Sequence, residues 1–263
     1  MAADPIPIDT SRRTAHEIFE KVSDNARDEL ARSSHALAFS GLAGGITMGL
    51  TGISVAAIRA VLGDSPAAQL VSYLFYPIGF MAVIIGRAQL FTENTLYPVV
   101  LVLKERRHLL ATARLWAVVF AANVLGAFAF SLLAVHTSSL QPKIADRLVQ
   151  LGVEALARPS TNIFWSAVIG GWIIALVAWM VSASHFTIGQ IAVVWLLTFV
   201  VGVGHFAHCI AGSGEVLAAV VHGAMPPTAY LHWVGLATAG NVMGGVIIVS
   251  FLNWGQVHAG ETR

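Results

Sequence analysis

Long apolar blocks alternate with short polar stretches along this chain. A transmembrane helix takes about 20 mostly apolar residues, each rising about 1.5 Å through a core of roughly 30 Å. Residues 36–58, 115–135, 162–183 and 229–254 each supply one such block. Residues 66–103 and 188–221 are apolar too, but overlong and interrupted. Arg87, Gln89, Thr92, Glu93, Asn94 and Pro98 break the first of these. Gly202, Gly204, His205, His208, Gly212, Ser213, Gly214 and Glu215 break the other. The pattern predicts an all-α polytopic membrane protein of six transmembrane helices, the second and fifth broken. Residues 12–34 read as an amphipathic cytoplasmic or interfacial helix, and 137–161 as the only long loop. The expected division is an N-terminal helix in 1–34, a six-helix transmembrane domain in 35–255 and a tail in 256–263.

Six blocks split by one long loop make a 3+3 arrangement, with the middle block of each half interrupted. Halves of three spans enter the membrane in opposite senses, so an inverted repeat is expected. Matched interruptions point to a binding or conduction site near the midplane, because unwound peptide groups must line protein or water rather than lipid. Two ordinary kinked helices are the other reading. Gly41, Gly45 and Gly49, like Gly240 and Gly244, recur every four residues, a spacing that lets helices approach closely.

Composition narrows the class. Hydrophobic residues make up 56% and charged residues 11%, against roughly 25% charged in a soluble domain. Twelve of the 29 charged side chains fall in the first 32 residues, and between residues 159 and 260 only Glu215 carries formal charge. A soluble enzyme, a disordered chain and a nucleic-acid binder are excluded. A net charge of +1 selects no electrostatic partner. The single cysteine, Cys209, excludes an intramolecular disulfide and a Cys-based zinc finger. With both termini inside, ten Lys and Arg fall on the cytoplasmic side and four outside. The expectation is a multi-pass inner-membrane protein with both termini cytoplasmic and 137–161 outside.

Ionisable groups at membrane depth are candidates for function. Arg87 and Glu93 flank the first break, where a structural ion pair competes with a functional role. His205 and His208 are three apart and could share a helix face, which raises a metal site; without a third ligand that is weak. A histidine that exchanges a proton in an apolar pore and a histidine that merely packs are the other readings. No nucleophile–base pair, phosphate loop or redox motif is present, so no enzyme, cofactor or metal is expected.

At these breaks the chain resembles the formate/nitrite transporter family. The resemblance rests on Leu90-Phe91-Thr92, on Phe206-Ala207-His208-Cys209-Ile210-Ala211, on Asn123-Val124-Leu125-Gly126-Ala127, on Ala178-Trp179-Met180 and on Gly240-Asn241-Val242-Met243-Gly244-Gly245. It spans most of residues 34–255 and implies an aquaporin-like homopentamer with one pore per protomer, passing small monovalent anions, in some members with protons. It implies that His208 is the central pore histidine and Thr92 the loop threonine beside it. Leu90 and Phe91 would belong to a periplasmic-side constriction; Tyr76, Phe80 and Val201 would fall near a cytoplasmic one. The chain departs from the family at Gln89, where an acid is usual, at Gly212 for an asparagine, and at Gln190 for a linker cation, with His185 nearby. The expected function is a channel or transporter for formate, nitrite or a related monocarboxylate, with His208 hydrogen-bonding the anion or supplying a proton. A pore for small neutral solutes is the alternative.

Overall fold

The computed structural model describes residues 12–259; residues 1–11 and 260–263, including the counted Arg263 and the outer ends of the predicted N- and C-terminal segments, lie outside it. The described residues form twelve α-helices: α1 (Ala15–Ala31), α2 (Ser34–Leu62), α3 (Pro66–Tyr73), α4 (Pro77–Ile85), α5 (Tyr97–Glu105), α6 (Leu109–His136), α7 (Pro142–Leu156), α8 (Ser160–Ala183), α9 (Thr187–Val203), α10 (Ala211–Val221), α11 (Pro227–Met243) and α12 (Leu252–Ala259). Among the described residues, five stretches are long and apolar enough to cross a membrane: α2, Pro66–Ile85, α6, α8 and Pro227–Ala259. The shorter apolar helices α9 and α10 flank the second break and make the sixth span.

Helix α1 begins with a reciprocal cap in which Glu17 donates its backbone N–H to Thr14 Oγ1 and Thr14 donates its own to Glu17 Oε2. Phe19, Val22, Ser23 and Ala26 form its buried stripe, at the spacing of one helix face. Lys104–Glu20 (2.6 Å) and Arg27–Glu105 (2.8 Å) fasten it to α5.

The two halves repeat each other. Helix α2 lies along α6 as α8 lies along α11. The contacts are backbone against backbone: a Cβ on Gly45 would stand 2.1 Å from the Asn123 carbonyl oxygen, and one on Gly171 2.1 Å from that of Asn241. Only glycine fits either place.

Three expectations need correction. The stretch 137–161 is not a loop, because it contains α7. Pro142 starts this helix, and Leu148, Leu151 and Gly152 bury one face, mainly against α10. The second span is interrupted twice, since α3 and α4 are separated at Pro77, which has no N–H to continue the helix. The sixth span is not a regular α-helix: residues Gly244–Phe251 widen into a π-helical stretch. Ser250 closes that stretch by donating to the carbonyls of Thr95 (2.9 Å) and Gly245 (3.1 Å).

Candidate functional site

Each break opens with a residue in the left-handed conformation, Arg87 (φ 60°) in the first and His205 (φ 51°) in the second. The following N–H then turns back to the preceding helix, Ala88 to the Val83 carbonyl and Phe206 to that of Val201, both at 3.0 Å. Beyond this turn the peptide groups are held by an asparagine from the third helix of the same half. Asn123 accepts from the Phe91 N–H (2.9 Å) and donates to the carbonyls of Gly41 (2.7 Å) and Gln89 (2.9 Å). Asn241 accepts from the Cys209 N–H (2.8 Å) and donates to those of Ala167 (2.7 Å) and Ala207 (2.9 Å). Each asparagine thus supplies partners that a buried, unwound segment cannot find within itself.

The two breaks meet at His208 and Thr92. The His208 ring is 1% exposed and Thr92 is fully buried. The Nδ1 atom of His208 faces the backbone N–H groups of Ile210 (3.3 Å) and Ala211 (3.0 Å), the latter the first residue of α10. Those groups only donate, so Nδ1 carries a lone pair and the ring hydrogen lies on Nε2. That N–H donates to Thr92 Oγ1 at 2.7 Å. The Thr92 hydroxyl hydrogen is then left without a protein acceptor among the described residues. Phe80 sits edge-on to the imidazole, centroid to centroid 5.0 Å, with Tyr76 at 5.7 Å from Phe80.

Cavities lead toward this pair from opposite faces. One, of about 120 Å³, enters on the face carrying α7 and reaches His208; Tyr76, Val201, His205, Glu215 and Trp233 are among its walls. The other, of about 150 Å³, enters on the face carrying α1 and reaches Arg87, Gln89 and Glu93, with Asp28 and Glu29 at its rim. Between them stand Phe80, Leu90, Thr92 and His208, all buried.

This placement reverses the sides expected for the apolar residues. Tyr76 and Phe80 precede the first break, on a span that starts near α7, and Val201 lines the α7-face cavity. With the termini inside, they belong to the outer half. Phe91 lies toward the α1 face, edge-on to Trp116 (5.8 Å) and Phe120 (5.1 Å) in the early turns of α6, with Leu90 buried beside it.

Other pairings also differ. Arg87 and Glu93 share a cavity, but no ion pair within 4.0 Å joins them among the described residues. His205 and His208 share no helix face, because both lie in the unwound segment between α9 and α10. His205 instead faces Tyr73, whose hydroxyl is 3.2 Å from Nδ1. No group of three metal-binding side chains occurs among the described residues.

The departures have local explanations. Gln89 accepts from Asn94 Nδ2 (2.8 Å), a bond internal to the break. Gly212 leaves room for Trp233, whose ring would lie 2.6 Å from a Cβ there. Trp233 and Arg158, another lining residue, are not legible as site residues: Trp233 is one apolar residue inside the block 229–254, and Arg158 precedes the block 162–183 with no motif around it. The Asn123 and Asn241 motifs were the available signal for the clamps.

Inverted halves, two clamped breaks and a closed polar pair between opposing cavities define a membrane channel or transporter. The family model for the formate/nitrite transporter matches residues 16–255. The inner membrane protein YfdC of Escherichia coli is 31% identical over 261 residues, covering 96% of this chain and 82% of that protein. A "Probable formate transporter" of Methanothermobacter thermautotrophicus is 28% identical over 203 residues, covering 71% of this chain and 74% of its own length. Two solved structures share the fold. An FNT family ion channel has a TM-score of 0.81 at 20% identity, covering 92% of this chain and 99% of its own. A pentameric formate channel with formate bound has a TM-score of 0.71 at 18% identity, covering 86% and 98%. The chain belongs to the formate/nitrite transporter family, whose members are anion channels and transporters rather than enzymes.

Proposed function

We propose that this protein passes small monovalent anions, formate, nitrite or a related monocarboxylate, across the cell's inner membrane as a homopentamer with both termini cytoplasmic. The observation that carries this reading is the His208–Thr92 pair at the junction of the two breaks, reached by a cavity from the α7 face. A bare anion loses its hydration in a dry constriction and needs a donor there. The Thr92 hydroxyl hydrogen is the open donor at that point, backed by the His208 Nε2–H that Thr92 Oγ1 accepts. With Nδ1 engaged by backbone N–H groups, the ring acts as a fixed hydrogen-bond donor, and the proton that accompanies a weak acid comes from solvent.

Flux of formate and nitrite into proteoliposomes tests this. His208→Asn retains an N–H donor without a titrating group, whereas His208→Leu has neither. The expected result is substantial flux with His208→Asn, still rising as pH falls, and little with His208→Leu. Equal, pH-independent flux in wild type and both variants would reject the role given to His208, and flux no greater than in protein-free vesicles would reject the transport reading. Loss of pH dependence in His208→Asn would make His208 a proton carrier. The α1-face cavity, where Asp28, Glu29 and Glu93 outnumber Arg87, favours a second reading, a pore for small neutral solutes. Urea and glycerol swelling assays separate the two.

A further inference from the structure

A cavity of about 390 Å³ lies away from the path, between α1, α8 and α12. We infer that it seats the phosphate of an anionic phospholipid on Arg12 and Arg13, with the acyl chains running down α8. The site shares no wall residue with either cavity that leads toward His208, so its occupancy does not depend on what the pore passes.

Arg12 and Arg13 line this cavity together with Ile18 of α1, Trp179 and Met180 of α8 and Gln256 of α12. No carboxylate oxygen lies within 4.0 Å of either guanidinium among the described residues. The acids nearby on α1 are engaged: Glu17 serves the helix cap, Glu20 binds Lys104 and Asp24 binds Arg27. Arg13 has a place in the fold, since it donates to the Ser182 carbonyl at the end of α8 and lies 3.4 Å from His185 Nδ1. A cation there also suits the negative end of the α8 dipole. Arg12 is exposed and makes no such bond among the described residues.

The depth of the cavity selects the anion. Trp179 lies four residues before Ala183, the last residue of α8, about 6 Å below the helix end at 1.5 Å per residue. Tryptophan at that level marks a membrane boundary. From Met180 the same face of α8 continues through Leu176 to Trp172 at four-residue spacing, with Met180 and Trp172 exposed. On α12 the exposed Leu252 stands one turn before Gln256 on the same face. Guanidiniums above and an apolar strip below match the two ends of a phospholipid, whereas inorganic phosphate would use the upper part alone. With the termini inside, this is the leaflet where anionic lipids gather, and basic pockets between helices there hold their headgroups.

Brominated acyl chains quench tryptophan at short range, which makes Trp179 the reporter. Its share of the emission is the difference between each protein and the same protein carrying Trp179→Phe, in phosphatidylcholine vesicles doped with brominated phosphatidylglycerol or brominated phosphatidylcholine. The expected result is quenching of Trp179 at a lower fraction of phosphatidylglycerol than of phosphatidylcholine. That preference should fall about fivefold in Arg12→Gln, be kept in Arg12→Lys and vanish in the double variant Arg12→Gln/Arg13→Gln. Thermal unfolding of each variant is the control. If the double variant loses stability, the Arg12→Gln and Arg12→Lys pair decides.

Excess inorganic phosphate, set against chloride at matched ionic strength, separates the two sources of a phosphate. A preference that survives it supports a lipid site, and one that it abolishes assigns the cavity to free phosphate and overturns the inference. Equal quenching by the two lipids, or a preference unchanged by both Arg12 substitutions, overturns it as well. So does a Trp179 that neither lipid reaches, which would show a neighbouring copy of the chain covering this face.

Discussion

His208 is fixed from one side by the first N–H groups of α10 and from the other by Thr92. Its orientation is therefore set jointly by two backbone N–H groups and one side-chain hydroxyl. Replacing Thr92 with valine leaves the buried Nε2–H without an acceptor, at a cost of about 1–3 kcal/mol. Formate flux in Thr92→Val should fall by roughly tenfold or more, and Thr92→Ser, which restores the hydroxyl, should recover most of it. Trp233 offers a different test. Its ring fills the room left by Gly212 in the cavity leading to His208, so Trp233→Ala should raise lactate flux relative to formate in the same vesicles. At this scale the sequence was legible where a polar group interrupts an apolar run, because such a group has few uses in a membrane. That is how His208, Thr92, Arg87 and Glu93 stood out. Trp233 and Arg158 belong to the site only through contacts between distant elements, which spacing along the chain does not encode.

The clamps are the critical device at the level of elements. Asn123 and Asn241 each satisfy one N–H and two carbonyls of the backbone around a break. Asn241→Ala would orphan the Cys209 N–H and the Ala207 carbonyl, at about 1–3 kcal/mol each; thermal unfolding in detergent should show a large fall, with Asn123→Ala giving a similar one. Gly171→Val presses side-chain atoms into the Asn241 backbone, and should lower stability by about 1–3 kcal/mol or more by the same measurement. Six spans and two breaks were readable from apolar run length and from glycine and polar interruptions. Helix α7 was not, because its apolar positions are interleaved with charged ones, as a half-buried helix requires, which in a chain dominated by long apolar blocks looks like a linker. The π-helical stretch was equally hidden: its sequence is an ordinary apolar run, and the widening comes from packing against Thr95.

For the whole molecule, acid stability has a visible contributor at the α7 face. Hydrogen bonds from Arg59 and then Arg147 hold the Asp64 carboxyl below its ordinary value of about 3.8. A group lowered in this way stabilises the fold above its unfolded value, and that contribution is lost as pH falls through the folded one. Wild type should therefore be more stable than Asp64→Asn at neutral pH, and the gap should close in strong acid, as thermal unfolding at stepped pH would record. Assembly is testable as well. Large apolar side chains such as Phe39, Leu110 and Trp165 are exposed on the single chain, a surface for lipid and for neighbouring copies. Native mass spectrometry should give five times the 27.9 kDa chain mass.

The matched breaks carry a consequence for direction. Arg87 and His205, Gln89 and Ala207, Phe91 and Cys209, Asn123 and Asn241 occupy equivalent places in halves that face opposite ways. A backbone built so is the same road travelled from either end. It supplies no arrow, and any rectification has to be written in the side chains that break the equivalence: Leu90 where the other half has His208, and Arg87 where it has His205. Without an energy source beyond the gradient, such a frame lets the anion run whichever way the gradient points.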